Sequence, residues 1–291
     1  MKFGFKALLT LLVALTTPLC GRGDTTINPT NNLAYGANLG WIDCRGDTNN
    51  GVVIGEYVCS GFLYAANVGW INLGNGSPPS GTNYQNISAS DFGVNHDGFG
   101  NLRGYAYGAN IGWINFETNG APRVNLKNGK LNGYVWSANC GWISLSNTTA
   151  FVQTDAIARG TDSDADGISD GWELVNFGNL SPSATTDADG DGASDLAEYL
   201  AGTLPNNSNS HLRITTISSP SPGTSVNLTW TSVSNRCYRV QEKLDLIQPP
   251  AWFDSGLAGI DPDGPTTTRL VNNTNASVRF YRIEAFRPLT P

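Results

Sequence analysis

The sequence predicts a mainly β protein in three parts: a domain built from repeated β-hairpins, a short loop-and-helix connector, and a C-terminal β-sandwich. Three observations carry the prediction. Composition comes first, with 34 Gly, 8 Trp, 10 Tyr and 11 Phe but only 14% charged residues in 291, against about 25% in an average globular chain. Few charges with many aromatics and glycines read as strands joined by tight turns, and not as a helical bundle. Second, one aromatic motif recurs four times between residues 35 and 143. Third, all the excess acid lies in one stretch: residues 162–198 hold eight Asp and two Glu with no Lys or Arg, so the −7 of the chain is −10 there and +3 elsewhere. No basic patch is present to neutralise phosphates, which excludes nucleic acid as the partner.

The N-terminus, residues 1–23, has the pattern of an export signal. Lys2 and Lys6 precede the apolar run Ala7 to Leu15, which is shorter than the roughly 20 residues that cross a bilayer. Cys20 would suit lipid anchoring, but Thr17-Pro18-Leu19 before it makes a poor lipobox. The expectation is a secreted protein, extracellular or at a cell surface, with no membrane span and with its cysteines in an oxidising compartment.

Residues 24–150 contain the repeats. Tyr35-Gly-Ala-Asn38-Leu-Gly-Trp41-Ile42 returns as Tyr64-Ala-Ala-Asn67-Val-Gly-Trp70-Ile71, as Tyr107-Gly-Ala-Asn110-Ile-Gly-Trp113-Ile114, and as Trp136-Ser-Ala-Asn139-Cys-Gly-Trp142-Ile143. The tryptophans are 29, 43 and 29 residues apart, so copies one and three, and two and four, are both 72 apart. Each copy reads as a hairpin, with Ala-Asn-x-Gly supplying the turn, and the copies are expected to stack on a common core. A third strand is expected before the later copies, at Phe92 to Asn95 and Arg123 to Leu126. Under the 72-residue offset Cys44 aligns with Phe116 and Cys59 with Leu131. The expectation is therefore that Phe116 packs on Leu131 and that Cys44 bonds Cys59, a bridge contributing roughly 3 kcal/mol. Cys140 and Cys237 are expected to be free. Regular recurrence assigns Trp and Ile to the core and Asn and Gly to the turns. The alternative is a sugar-binding face of aromatic rings and amides. The motif resembles the G-Y-A-W-S-x-N-x-G-W-I repeats of exported bacterial proteins, a resemblance over residues 32–146 that implies no activity.

Residues 155–205 hold two matches to D-x-D-x-D-G-x5-E. The first is Asp162, Asp164, Asp166, Gly167, Ile168, Asp170 and Glu173; the second is Asp187, Asp189, Asp191, Gly192, Ala193, Asp195 and Glu198. A hard dication takes six to eight oxygens, and alternate residues of a tight loop aim carboxylates inward. Gly at position six permits the turn. Position seven (Ile168, Ala193) offers its carbonyl, position nine (Asp170, Asp195) binds directly or through water, and the Glu at twelve closes the shell. The expected cofactor is two Ca2+ ions in a calcium-loop and helix connector. The loops start 25 residues apart, which leaves room for one short helix after each loop and none before. This spacing resembles bacterial thrombospondin type 3 repeats and, less closely, dockerin half-hands, an EF-hand-like resemblance that implies calcium ordering a connector between domains.

From 206 to 291 the chain turns to Ser, Thr, Asn and Pro with period-two strands at 212–217, 226–230, 237–241, 267–271 and 278–283, as in a β-sandwich. Trp230 and Tyr238 resemble the core pair of fibronectin type III strands B and C, a resemblance of fold without function.

For catalysis the sequence offers little. His96 falls in a turn-like Asn95-His-Asp97-Gly98, His211 lies in a Ser/Asn-rich linker, and no G-x-S-x-G is present. Glu56 with Glu117 is the one candidate glycosidase pair. The reading is a non-enzymatic, calcium-binding, exported protein whose repeat domain binds a partner, a glycan or a cell-surface protein. The alternative is a carbohydrate-binding accessory protein of a polysaccharide-degrading system.

Overall fold

The computed structural model describes residues 25–221, 225–244, 252–272 and 279–290; the export-signal pattern at 1–23 lies outside them. Four hairpins form where the motif recurs. They are β1 (Ile27–Gly36) with β2 (Gly40–Asp43), β4 (Cys59–Ala65) with β5 (Gly69–Asn75), β7 (Leu102–Gly108) with β8 (Gly112–Asn115), and β11 (Tyr134–Ser137) with β12 (Gly141–Ser144). Between them run β3 (Val53–Ile54), β6 (Val94–His96), β9 (Arg123–Val124) and β10 (Leu131–Asn132), and β13 (Val152–Thr154) follows. Each turn closes by a hydrogen bond from the amide of the third turn residue to the carbonyl of the residue before the turn, as in Leu39 N–H to Gly36 O at 3.1 Å. The glycines at 40, 69, 112 and 141 take φ of 75°, 80°, 71° and 79°, the left-handed region that Ala-Asn-x-Gly anticipates.

The copies close into a ring, not an open stack. Hairpins join in the order β2–β4, β5–β7 and β8–β11, and β12 then pairs back onto β1 through Tyr35–Ser144 and Gly36–Ile143. Eight strands give a barrel whose interior side chains just fill, here with Ile42, Ile71, Ile114 and Ile143 in equivalent, fully buried places. A second ring runs through the turns. The side-chain amide of Asn38 donates to Cys140 O (3.1 Å), Asn67 to Leu39 O (3.1 Å), Asn110 to Val68 O (2.9 Å) and Asn139 to Ile111 O (3.0 Å). Each copy thus holds its predecessor, and the first holds the fourth.

The tryptophans depart from expectation. They do not fill the core: Trp41, Trp70, Trp113 and Trp142 stand outward, 46–47% exposed, each directly across the hairpin from Tyr35, Tyr64, Tyr107 or Trp136. The reason is the pleat, which sends Trp and the following Ile to opposite faces. The four ring pairs repeat closely, with centroids 4.8–5.0 Å apart at 57–62°.

The Cys44–Cys59 bond is also corrected. Both are free thiols in the barrel core, lining an apolar cavity of about 30 Å3 with Phe116 and Leu131. Burial pushes the Cys59 thiol up to about 12 and raises Cys44 as well, which suppresses the thiolate that disulfide exchange needs. Cys140 is buried and free, and Cys237 is half-buried and free. His96 is no turn residue: it is buried in β6, with Nδ1 2.9 Å from Gly55 O.

Two short helices follow, α1 (Asp170–Phe177) and α2 (Asp195–Ala201), ended by Gly178 and Gly202 in left-handed geometry. Beyond them β14 (Ile214–Ser221), β15 (Ser225–Thr231) and β18 (Thr266–Asn272) form one antiparallel sheet. A second sheet contains β16 (Cys237–Lys243), β17 (Phe253–Ile260) and β19 (Phe280–Phe286). The two share one core of Leu228, Trp230 and Val271 with Tyr238, Val240 and Ile260. The protein is mainly β with antiparallel sheets.

The asparagine ring is testable. Asn67→Asp removes a donor and sets a carboxylate against Leu39 O, and is expected to lower unfolding stability by about 1–3 kcal/mol, whereas Asn67→Ala lowers it by about 1 kcal/mol. Urea unfolding followed by Trp emission measures both.

Candidate metal centres

The two acidic loops fold alike because their sequences place the same groups at the same positions. In the first, Asp162 accepts from the amides of Asp166 (3.2 Å) and Gly167 (3.0 Å), and Asp166 accepts from that of Ile168 (2.8 Å). In the second, Asp187 accepts from Asp191 (3.2 Å) and Gly192 (2.9 Å), and Asp191 from Ala193 (2.8 Å). Position six is Gly167 or Gly192, both at φ 95°, and position four is left-handed as well, at Ala165 (61°) and Gly190 (76°). Each loop is cinched where it meets its helix: Asp170 N–H donates to Thr161 O at 2.8 Å, and Asp195 N–H to Thr186 O at 2.7 Å.

This winding gathers oxygens. One carboxylate oxygen each from Asp162, Asp164 and Asp166 lie within 4.8 Å of one another, and so do those of Asp187, Asp189 and Asp191. Glu173 and Glu198, at position twelve, are 1% and 0% exposed. Asp166 Oδ2 and Glu173 Oε1 in the first loop, and Asp189 Oδ2 with both oxygens of Glu198 in the second, are buried without a hydrogen-bond partner among the described residues. Buried acceptors left unmatched on this scale call for a ligand. Clustered carboxylate oxygens are the donor set of a hard dication, so the residues present fit calcium.

Electrostatics agree. Burial, and then the charges of the neighbouring aspartates, push the Glu173 carboxyl up to about 7. Burial also pushes Glu198 up to about 7, with the nearby Thr203 hydroxyl opposing the shift and Asp189, Asp191 and Asp195 adding to it.

The position-nine carboxylates also accept hydrogen bonds within their own loops. Asp170 turns to the back of its own loop, accepting from the amide (2.8 Å) and hydroxyl (2.6 Å) of Ser163. Asp195 likewise takes the Thr186 hydroxyl (2.5 Å) and the Ala188 amide (3.3 Å). Ile168 and Ala193 contribute their amides as described, and the Ile168 side chain is buried with Trp172 and Tyr199 in a small core of its own.

Sequence reasoning missed three neighbours. His211 Nδ1 lies 2.6 Å from Asp191 Oδ2, an asymmetry between otherwise matched loops. Glu56 Oε2 accepts from Ser169 Oγ (3.1 Å) and Tyr199 Oη (3.0 Å), while Oε1 pairs with Arg287 at 2.6 Å. Arg236 donates to the carbonyls of Leu200 (2.7 Å) and Tyr199 (2.9 Å) at the C-terminal end of α2, where a cation is favoured. No local pattern marks these pairs, whose members lie far apart in sequence. Of the candidate glycosidase pair, Glu56 is committed to this junction and Glu117 accepts from Gly104 N–H at 3.0 Å.

No protein-family model, curated protein or solved structure matches the chain. Among the described residues no helix is long and apolar enough to cross a membrane.

A pH dependence follows from Glu173 and Glu198. Because folding raises their pKa values from 4.5 towards 7 in the cation-free protein, the folded state holds more protons than the unfolded one between those values. Their contribution to stability is full below about pH 4.5 and is lost as pH rises through about 7. In chelator, the connector is expected to melt more easily at pH 7.5 than at pH 5.5. Calcium affinity should run the other way, weakening below pH 7 as protons compete. Thermal melts and calcium titrations across this range check both signs.

Proposed function

We infer that this chain is a secreted, non-catalytic, calcium-binding protein of the cell surface or extracellular medium. Two Ca2+ ions order its interdomain connector, and its barrel carries the partner-binding surface. The observation that carries the calcium reading is the set of buried, partnerless oxygens on Glu173 and Glu198 beside the two aspartate triads. Asp162, Asp164, Asp166 and Glu173 would hold one ion, and Asp187, Asp189, Asp191 and Glu198 the other. The Ile168 and Ala193 carbonyls, and water beside Asp170 and Asp195, are the ligands expected to complete each shell. The ions supply charge neutralisation and geometry, with no reaction assigned to them. Supporting export is the basic and apolar pattern of the N-terminal residues 1–23. Supporting a non-enzymatic role are a buried His96, a His211 held on Asp191, and the occupied carboxylates of Glu56 and Glu117. The fibronectin-type reading of residues 206–291 draws support from the two-sheet core around Trp230 and Tyr238.

Isothermal calorimetry on the full chain is expected to find two calcium sites, both abolished by Glu173→Gln plus Glu198→Gln. At calcium about one hundred times Kd, each filled site adds about 2.7 kcal/mol to stability. A heat-silent titration at millimolar calcium overturns the reading.

The second reading, a carbohydrate-binding accessory protein, rests on the outward aromatic pairs. The stretches 35–42, 64–71, 107–114 and 136–143 contain no charged residue, and their eight half-exposed rings make an apolar surface of the kind that marks a binding site, with the Asp43 carboxylate across the strand pairing from Tyr64. Asn72 and Asn115 lie across the strand pairing from Tyr107 and Trp136, adding amides beside the rings. Neutral polysaccharides in a glycan array, or in affinity electrophoresis, are the probe. Trp70→Ala plus Trp113→Ala is expected to weaken binding at least about tenfold while the chain still unfolds cooperatively, each lost ring pair costing about 0.5–1.5 kcal/mol of stability.

A further inference from the structure

We propose that Glu56 is a positioning residue shared by both cation loops, and that it makes their filling cooperative. The inference rests on the calcium reading above. Glu56 comes from the barrel, between β3 and β4, with its amide fixed to Ala158 O at 3.0 Å. Its Oε2 receives two hydroxyls from the connector. One is Ser169 Oγ at 3.1 Å, at position eight of the first loop and immediately before α1. The other is Tyr199 Oη at 3.0 Å, the residue that follows the closing Glu198 of the second loop. A single oxygen, brought from outside both loops, therefore joins the start of α1 to the residue of α2 that follows the second loop's closing glutamate.

Glu56 cannot wander to suit one loop alone, because Arg287 holds its other oxygen at 2.6 Å and lies 4.0 Å over the Tyr199 ring. The two helices that follow the loops also meet directly, with the Trp172 and Tyr199 rings 5.5 Å apart edge to face. An ion that orders the first loop fixes Ser169, Ser169 fixes Glu56, and Glu56 fixes Tyr199 beside Glu198. The same chain runs in reverse, because coupling between binding sites is reciprocal. Glu56 touches neither set of aspartates; it acts on where Glu173 and Glu198 stand when an ion arrives.

A mutant cycle on the full chain tests this. Glu198→Gln disables the second loop, and the half-saturating calcium of the first is read from Trp172 emission, with calorimetry counting the ions. In the wild-type background Glu198→Gln is expected to raise that midpoint about tenfold, inside the usual 5–150-fold span of coupled sites. In the Glu56→Gln background the same change is expected to move it less than about twofold. Tyr199→Phe repeats the test without disturbing the Glu56–Arg287 pair, should Glu56→Gln fold poorly, and the same collapse is expected. Equal shifts in all backgrounds, or no shift in the wild type while both loops fill, overturn the coupling and leave the calcium reading standing. A wild-type chain that takes up no calcium overturns both.

Discussion

A buried carboxylate whose three partners tie its own part of the chain to two others is the constraint on which the arrangement of the molecule depends. Glu56 belongs to the barrel, Ser169 and Tyr199 to the connector, and Arg287 to the last strand's exit. A charge removed from water is tolerated only when it is fully matched, and losing one partner of such a pair costs about 3–5 kcal/mol. Rearranging the three parts would strand that charge, so they are held in register by the penalty for separation as much as by attraction. Arg236 reinforces the junction by covering the last carbonyls of α2, and Ile157 and Leu289 are bonded main chain to main chain beside it at 2.8 Å.

The connector brings a different economy to the same place. Its helices are seven and eight residues long, too short to be stable alone. They stand because Trp172, Tyr199 and Ile168 share a small core, and because the loops before them are wound by side-chain-to-amide bonds. Those bonds use carboxylates as acceptors and set like charges close together. The cation-free loop thus carries both the means of its own shape and a reason to take up positive charge.

What could be read from the sequence was whatever lies within a dozen residues. The loops are of this kind: Asp, Gly and Glu at fixed offsets fix both the winding and the oxygen cluster. Ala165 in left-handed geometry was hidden, since only its counterpart Gly190 advertises the requirement. The outward tryptophans were misassigned although the signal was present. Trp and Ile are adjacent in every copy, and adjacent strand residues cannot both face one core. Ring closure left no local trace, because four hairpins joined end to end read the same in an open stack. The thiols of Cys44 and Cys59 were paired by an offset that records shared ancestry of position, and such an offset does not encode bonding. Glu56 was matched with Glu117 as a candidate catalytic pair because its true partners, Arg287, Ser169 and Tyr199, are distant in the chain.

The pairing of β1 with β12 has a consequence for how the barrel could vary. An open solenoid has two terminal units with exposed flanks and can grow or shrink by one. A closed ring has no first or last member, so the number of hairpins is set by curvature and cannot change singly without exposing two unpaired edges. The places where the chain begins and ends its circuit are, by contrast, arbitrary. The β1–β2 unit and the β11–β12 unit are already neighbours, and the same barrel could be written starting from any of its hairpins. Circular permutation, and not elongation, is the variation this architecture leaves open.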